Sequence, residues 1–327
     1  MFGRMNVTCP FCGALHWNEE KVSTSSSLHP QFSTCCQKGS VSLPLLPDPP
    51  PFLRGLFEGD DRTSIAFRNN IRQYNMSLAF TSLGVKEDRM VNLRGGWVFR
   101  ISGELCHQIG SLQPDEGVAP MYAQLYIYDS QQALLQRMYR NENLQESTMS
   151  SLQTMLSLHH RYSNDFLHAY EVLRSYPDAP NAEVRLRVMP GQSRAYNSPS
   201  SDEVAVILPG DGTAADRRDI VLYCRSSDDR RLAQIDDGHP AYSPLHYVLL
   251  FPYGTNGWHR DLYHCAPPNT THPSNWNPPR ISQTEFSAFR LHTREKEYPT
   301  LHRGGRLFQQ YIVDMWASAD QTCLSFL

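Results

Sequence analysis

Apolar residues recur along this chain with two periods, and the period changes several times. From Phe67 through Ile71 and Tyr74 to Leu78 they return at spacings of four, three and four. That spacing predicts a helix with one apolar face, its first turn capped by Thr63 or Asp61. Two further helices are marked by Leu144, Thr148, Leu152, Met155 and His159, and by Phe166, Tyr170 and Leu173. Alternation takes over in residues 97–103 and 121–129, in Val184, Leu186 and Val188, and in Val204, Val206 and Leu208, and each of these predicts a strand. Residues 220–223 and 232–235 add two short strands, the first close after a turn at Pro209-Gly-Asp-Gly212 that suits a hairpin connection. A last helical pattern begins at Ser282.

Three stretches follow neither period. Ser23-Thr-Ser-Ser-Ser27 reads as a flexible loop. Residues 39–51 carry Pro44, Pro47, Pro49, Pro50 and Pro51, which exclude a regular helix and predict an extended spacer of polyproline character. Residues 240–279 are loop-rich and aromatic, with His239, His246, His259, His264, His272 and Cys265 in or beside them. Such a mixture suits a second metal site or a base-stacking surface, but no paired Cys-x-x-Cys or His-x₃₋₅-His spacing supports the metal.

Taken together the patterns predict an α+β fold: a small N-terminal zinc knuckle, then a mixed α/β domain of short strands and packed helices. The divisions expected are a knuckle-like segment at 1–42, a proline-rich linker at 43–60, a mixed domain at 61–238, an aromatic and His-rich loop region at 239–281, and a further helical unit at 282–327. The 327 residues suffice for a sizeable core, and 40% hydrophobic content fits a globular chain. A formal charge of −3 speaks against a chain that coats nucleic acid along its whole surface, leaving local basic patches to consider. No apolar run approaches the roughly 20 residues of a membrane span, and the first residues are too polar for a signal peptide. An intracellular protein with reduced thiols is the expectation. The amphipathic last residues read as an element cut short.

Candidate chemistry concentrates in the cysteines. Cys9-Pro-Phe-Cys12 followed by Gly13 is a knuckle pattern, two thiolates on one side of a tight turn where they can share a tetrahedral Zn²⁺. Cys35 and Cys36 are the nearest further thiolates. Neighbouring side chains tend to diverge, so His16 or His29 is an alternative to one of them; a redox pair and plain buried thiols are the other readings. A zinc site of this type is closed and structural. Cys106, Cys224, Cys265 and Cys323 stand singly and read as buried or surface thiols, and the adjacent His159 and His160 as surface residues.

Two basic groups are candidate phosphate contacts. Arg68 and Arg72 lie four apart on the first helix. Between 280 and 306 the chain carries Arg280, Arg290, Arg294, Lys296, Arg303 and Arg306 against Glu285, Glu295 and Glu297. Candidate DNA contacts are therefore Arg68, Arg72, Arg290, Arg294, Arg303 and Arg306, the competing reading being solvated helix faces.

Several phrases occur in a telling order: Cys9-Pro-Phe-Cys-Gly-Ala-Leu-His-Trp17, Phe32-Ser-Thr-Cys-Cys-Gln-Lys-Gly39, Phe67-Arg-Asn-Asn-Ile-Arg-Gln-Tyr-Asn75, Gln124-Leu-Tyr-Ile-Tyr-Asp129 and Tyr196-Asn-Ser-Pro-Ser-Ser-Asp-Glu203. Tyr242-Ser-Pro-Leu-His-Tyr-Val-Leu-Leu-Phe-Pro-Tyr-Gly254 and Gly305-Arg-Leu-Phe-Gln-Gln-Tyr-Ile-Val-Asp314 follow. Together they resemble the N-terminal part of the Helitron transposon protein, the Rep/helicase of rolling-circle elements. The resemblance covers nearly the whole chain, with 282–327 resembling the start of the helitron helicase-like N-terminal domain. It implies a nuclear protein that meets single-stranded or transposon-end DNA, its full-length relatives being nuclease-helicases. The nuclease of that family needs a His-hydrophobic-His pair, and the helicase a Gly-x-x-x-x-Gly-Lys-Ser/Thr loop; this sequence contains neither. Tyr311 lies in the matching part, but nothing marks it as a nucleophile. The implied role is assistance in DNA recognition without catalysis, and a degenerate transposon copy without activity is consistent with the same residues. A self-contained zinc-stabilised interaction module is the alternative from a different class, suggested by the near-neutral charge and the proline segment.

Overall fold

A computed structural model describes residues 3–25, 30–83, 106–114, 117–175, 183–187, 219–223, 233–266 and 277–324. Its architecture is α+β, helices packed with small antiparallel sheets. Among the described residues no helix is long and apolar enough to cross a membrane.

The chain opens with a hairpin, β1 (Val7–Thr8) against β2 (Leu15–His16), in which Val7 faces His16. The proline-rich stretch then departs from the expected spacer. Pro51 opens a helix, α1 (Pro51–Glu58), because at the first helical position its missing N–H is one the helix leaves unpaired anyway. Before it the chain is extended but bound to the body: Val41, Leu43 and Leu46 are buried. The Leu46 N–H donates to Glu297 at 2.8 Å, Arg290 donates to the Pro44 carbonyl at 2.6 Å, and the Tyr253 hydroxyl donates to that of Asp48 at 3.0 Å.

The helix predicted from Thr63 to Leu78 is two helices, α2 (Arg62–Asn69) and α3 (Ile71–Leu78). Asn70 parts them: its side-chain amide donates back to the Ala66 carbonyl at 2.9 Å, a local bond that competes with the helical ladder. Phe67, Ile71, Tyr74 and Leu78 nevertheless all reach the core, as the spacing requires. Asp61 is the cap, its carboxylate accepting from the N–H groups of Thr63 at 2.8 Å and Ser64 at 3.1 Å. An Asp61→Ala protein should lose about 1 kcal/mol, read as a lower denaturation midpoint; an unchanged midpoint would mean the two N–H groups find water instead.

Residues 121–129 form no strand. Tyr122–Tyr126 is a short 3₁₀ turn entered at Tyr122 with φ 51, burying Ala123, Leu125 and Tyr126. A short apolar run does not distinguish strand from helix by period alone. α4 (Ser130–Tyr139), α5 (Glu146–His159) and α6 (Arg161–Arg174) follow. His159 is exposed as expected, but His160 is fully buried, stacked on Phe80 and donating to the Pro244 carbonyl at 3.2 Å. The Phe80 ring also stacks on Tyr126 and Phe166, so this imidazole belongs to the core.

β3 (Ser82–Leu83), β4 (His107–Ile109) and β7 (Ala233–Ile235) make an antiparallel sheet in that order, with His107 opposite Leu83 and Ile235. β5 (Glu183–Arg187) pairs antiparallel with β6 (Asp219–Tyr223). The expected strands at 97–103 and 204–208, the turn at 209–212, Cys224, His29 and His272 lie outside the described residues. The first part of the aromatic segment is no surface, although Tyr263 further on is exposed. α7 (Tyr242–His246) and the residues Tyr247 to Phe251 are buried throughout, held by Asn75, which donates to the His246 carbonyl at 2.7 Å and accepts from the Leu249 N–H at 3.2 Å. α8 (Gln283–Leu291), α9 (Thr300–Arg303) and α10 (Arg306–Leu324) complete the chain.

Candidate metal centre

The knuckle turn is built by hydrogen bonds that its glycine permits. The Gly13 N–H donates to Cys9 O at 3.0 Å and the Cys9 N–H to Ala14 O at 2.7 Å, with Gly13 in the left-handed region at φ 73. The second pair sits on an equally sharp bend. After Cys36 the backbone runs through three left-handed residues, Gln37, Lys38 and Gly39, and the Cys36 carbonyl accepts from both Gly39 at 2.9 Å and Val41 at 3.0 Å. At Gly39, φ is 93 and an added Cβ would lie 3.0 Å from the Phe11 ring, so the two loops interlock there.

The sulfurs of Cys9, Cys12, Cys35 and Cys36 all lie within 4.8 Å of one another. Cys9 to Cys36 is 3.8 Å and Cys35 to Cys36 is 3.7 Å. Four sulfurs at tetrahedral corners around an ion bound at about 2.3 Å are about 3.8 Å apart, so the set fits one metal ion. The same separations are far beyond an S–S bond of about 2.05 Å, and all four thiols are free. The adjacent cysteines therefore do converge. His16 is outside the group: its Nδ1 donates to Glu20 at 2.6 Å and its ring stacks on Phe32 with centroids 3.9 Å apart.

Crowding splits the titration of the four thiols. Bonds from Cys35 and Cys36 hold Cys12 well below the usual thiol range, and those same contacts hold Cys35 and Cys36 well above it. Cys9, raised by Cys12 but lowered more by Cys35 and Cys36, comes to about 7. Four thiolates cannot coexist in this space without a cation, which is the condition a metal ion supplies.

The centre is fastened to the far end of the chain. Arg294 donates to Cys12 O at 3.0 Å, to Phe289 O at 2.9 Å and to His292 O at 2.9 Å, and its Nη2 lies 3.8 Å from Cys12 Sγ. A guanidinium beside a thiolate stabilises the ionised form that binds metal. Ala14 and Arg294 form a β-bridge, while Phe32, Ile281, Phe286 and Phe289 pack with the cysteines in a second apolar cluster.

These contacts revise the candidate DNA residues. Arg290 and Arg294 are buried, with guanidinium groups on carbonyls of the same chain. Arg68 donates to the carbonyls of Leu56, Phe57 and Gly59, closing the end of α1. Only Arg72, Arg303 and Arg306 of the six are exposed.

A second polar group was not visible in the sequence. On α10, Asp314 accepts from the hydroxyls of Tyr242 at 3.0 Å and Tyr247 at 3.2 Å, with His107 Nε2 at 3.6 Å. The His107 ring stacks between Tyr242 and His246. Burial raises the Asp314 carboxyl, but bonding to His107, the charges of both histidines and Tyr242 leave it below the usual range. Its members are up to 207 positions apart and form no motif, so only folding assembles them. The group is enclosed, and it holds α10 beside β4 and α7.

Searched against protein-family models and against curated proteins, the chain matches none. The reading of the cysteine centre as a metal site therefore rests on its geometry.

Proposed function

We propose that the four-cysteine centre holds zinc, and that the chain serves as a non-catalytic, DNA-holding part of a Helitron-type rolling-circle transposition protein acting in the nucleus. The observation that carries the zinc reading is the convergence of Cys9, Cys12, Cys35 and Cys36 on one point. Four soft thiolates in a closed tetrahedral arrangement suit zinc, and with no open position such a site orders a fold rather than performing hydrolysis. The DNA role draws on the family resemblance and on the arginines left facing solvent, Arg72, Arg303 and Arg306.

Fluorescence anisotropy of a labelled single strand, with zinc-loaded protein, tests the DNA part. Binding should weaken steeply with salt, and replacing Arg72, Arg303 and Arg306 by Ala should lower the logarithmic salt slope by about 0.7 for each phosphate that is no longer neutralised. No binding at low salt, by single strands or transposon ends, would overturn it.

An interaction module is the second reading, favoured by one observation. Val313, Trp316 and Leu324 are exposed on α10, more apolar surface than a solvated helix needs. A stable protein complex without DNA retention would select this reading.

A further inference from the structure

Between the proline arm, the end of α8 and the start of α9 lies a small cavity walled by Leu46, Arg290, Thr293, Glu297, Thr300 and Leu301. Its tightest part has room for about one water, and the pocket is partly open to solvent. Four of the residues that line it bring a polar atom that is buried and has no hydrogen-bond partner among the described residues: Arg290 Nε, Thr293 Oγ1, Thr300 Oγ1 and the Tyr298 hydroxyl. Arg290 and Thr300 are themselves 6% and 2% exposed. Orphaned buried donors are costly, and such groups cluster where something bound completes them.

The charge around the cavity indicates what that is. The nearby carboxylate, Glu297, is taken by Arg294 at 3.3 Å and by the Leu46 N–H at 2.8 Å. Arg290 has a carbonyl at Pro44 and the Phe286 ring beneath it, with no carboxylate among the described residues in ion-pair contact. A buried cation in that position calls for a counter-charge. A water would satisfy the hydroxyls while leaving the guanidinium uncompensated.

We propose that this cavity is a binding site for one small inorganic anion of halide size, accepting from Arg290 Nε and the hydroxyls of Thr293 and Thr300. Its occupant joins the proline arm to the segment that carries Arg294, and through Arg294 it steadies the cysteine centre.

Bromide is the probe. At fixed ionic strength, replacing sodium gluconate by sodium bromide should raise the melting midpoint of the zinc-loaded protein by about 1–2 °C, the shift expected for a chain of this length when the anion exceeds its dissociation constant several-fold. A Thr293→Val/Thr300→Val protein keeps the side-chain shape and should lose that response. Should the double variant fail to fold, bromide-soaked crystals of the unaltered protein decide the matter: an anomalous peak beside Arg290 Nε supports the site. A water there, or an equal bromide response in both proteins, overturns it.

Discussion

A Cys36→Ser protein should bind less than a tenth of the zinc held by the unaltered chain after competition with a chelator. Structural zinc in small domains contributes about 10–16 kcal/mol of apparent binding energy at neutral pH, so one thiolate of four accounts for roughly 3 kcal/mol. Cys36 is the informative choice because its sulfur is 3.7 Å from Cys35 and 3.8 Å from Cys9. It belongs to the centre geometrically although its neighbour in sequence does too. His16→Gln is the control: with its imidazole on Glu20 and Phe32, this change should leave zinc stoichiometry intact. Full retention of zinc by Cys36→Ser, together with loss in His16→Gln, would refute the ligand set. Iron or cobalt bound in preference at equal supply would refute the choice of ion.

Mild acid should destabilise the protein by about 3 kcal/mol through two buried histidines between pH 7.5 and 5.5. His160 and His246 are buried, and desolvation pushes each imidazole down to about 3. His160 faces Arg161, which opposes its charging, and the Pro244 carbonyl, which favours it. His246 faces His107, which opposes, and Asp314 and Thr81, which favour. In the unfolded chain both titrate near 6.5, so between about 6.5 and 3 the unfolded state binds more protons than the folded one. Stability is therefore complete above the upper limit and lost as pH falls through the window. Each histidine contributes about 1.4 kcal/mol of that loss at pH 5.5. Denaturant titrations across this range measure it. Acid also protonates the thiolates, so the decisive comparison is with His160→Gln, whose loss should be smaller by about 1.4 kcal/mol. Parallel profiles for the two proteins would show that His160 is free to charge in the fold.

Features encoded within a few residues were legible before the structure. The Cys-x-x-Cys-Gly turn needs only its own five residues, and the period around Phe67 marked residues that all reach the core, as did Leu152 and Met155 of the next pattern, though not His159 at its end. What the sequence concealed depends on partners far along the chain. Arg290 and Arg294 look like a basic surface until their acceptors are found at Pro44 and Cys12, 246 and 282 positions away. The aromatic stretch from Tyr242 to Phe251 looked available for stacking on bases, yet it fills the core under Asn75. The convergence of Cys35 and Cys36 turned on backbone angles rather than residue types, since Gln37 and Lys38 are left-handed without being glycine. His107 and Asp314 had no spacing to betray them.

The tie between Cys12 and Arg294 also sets an order of events during synthesis. All four sulfurs leave the ribosome within the first 36 residues, but the arginine that braces them comes 282 residues after Cys12. At about 5–20 residues per second that interval is roughly 15–60 s. Throughout it the nascent hairpin lacks the helix it will finally rest on, and a metal ion bound early would keep its thiols together in the meantime.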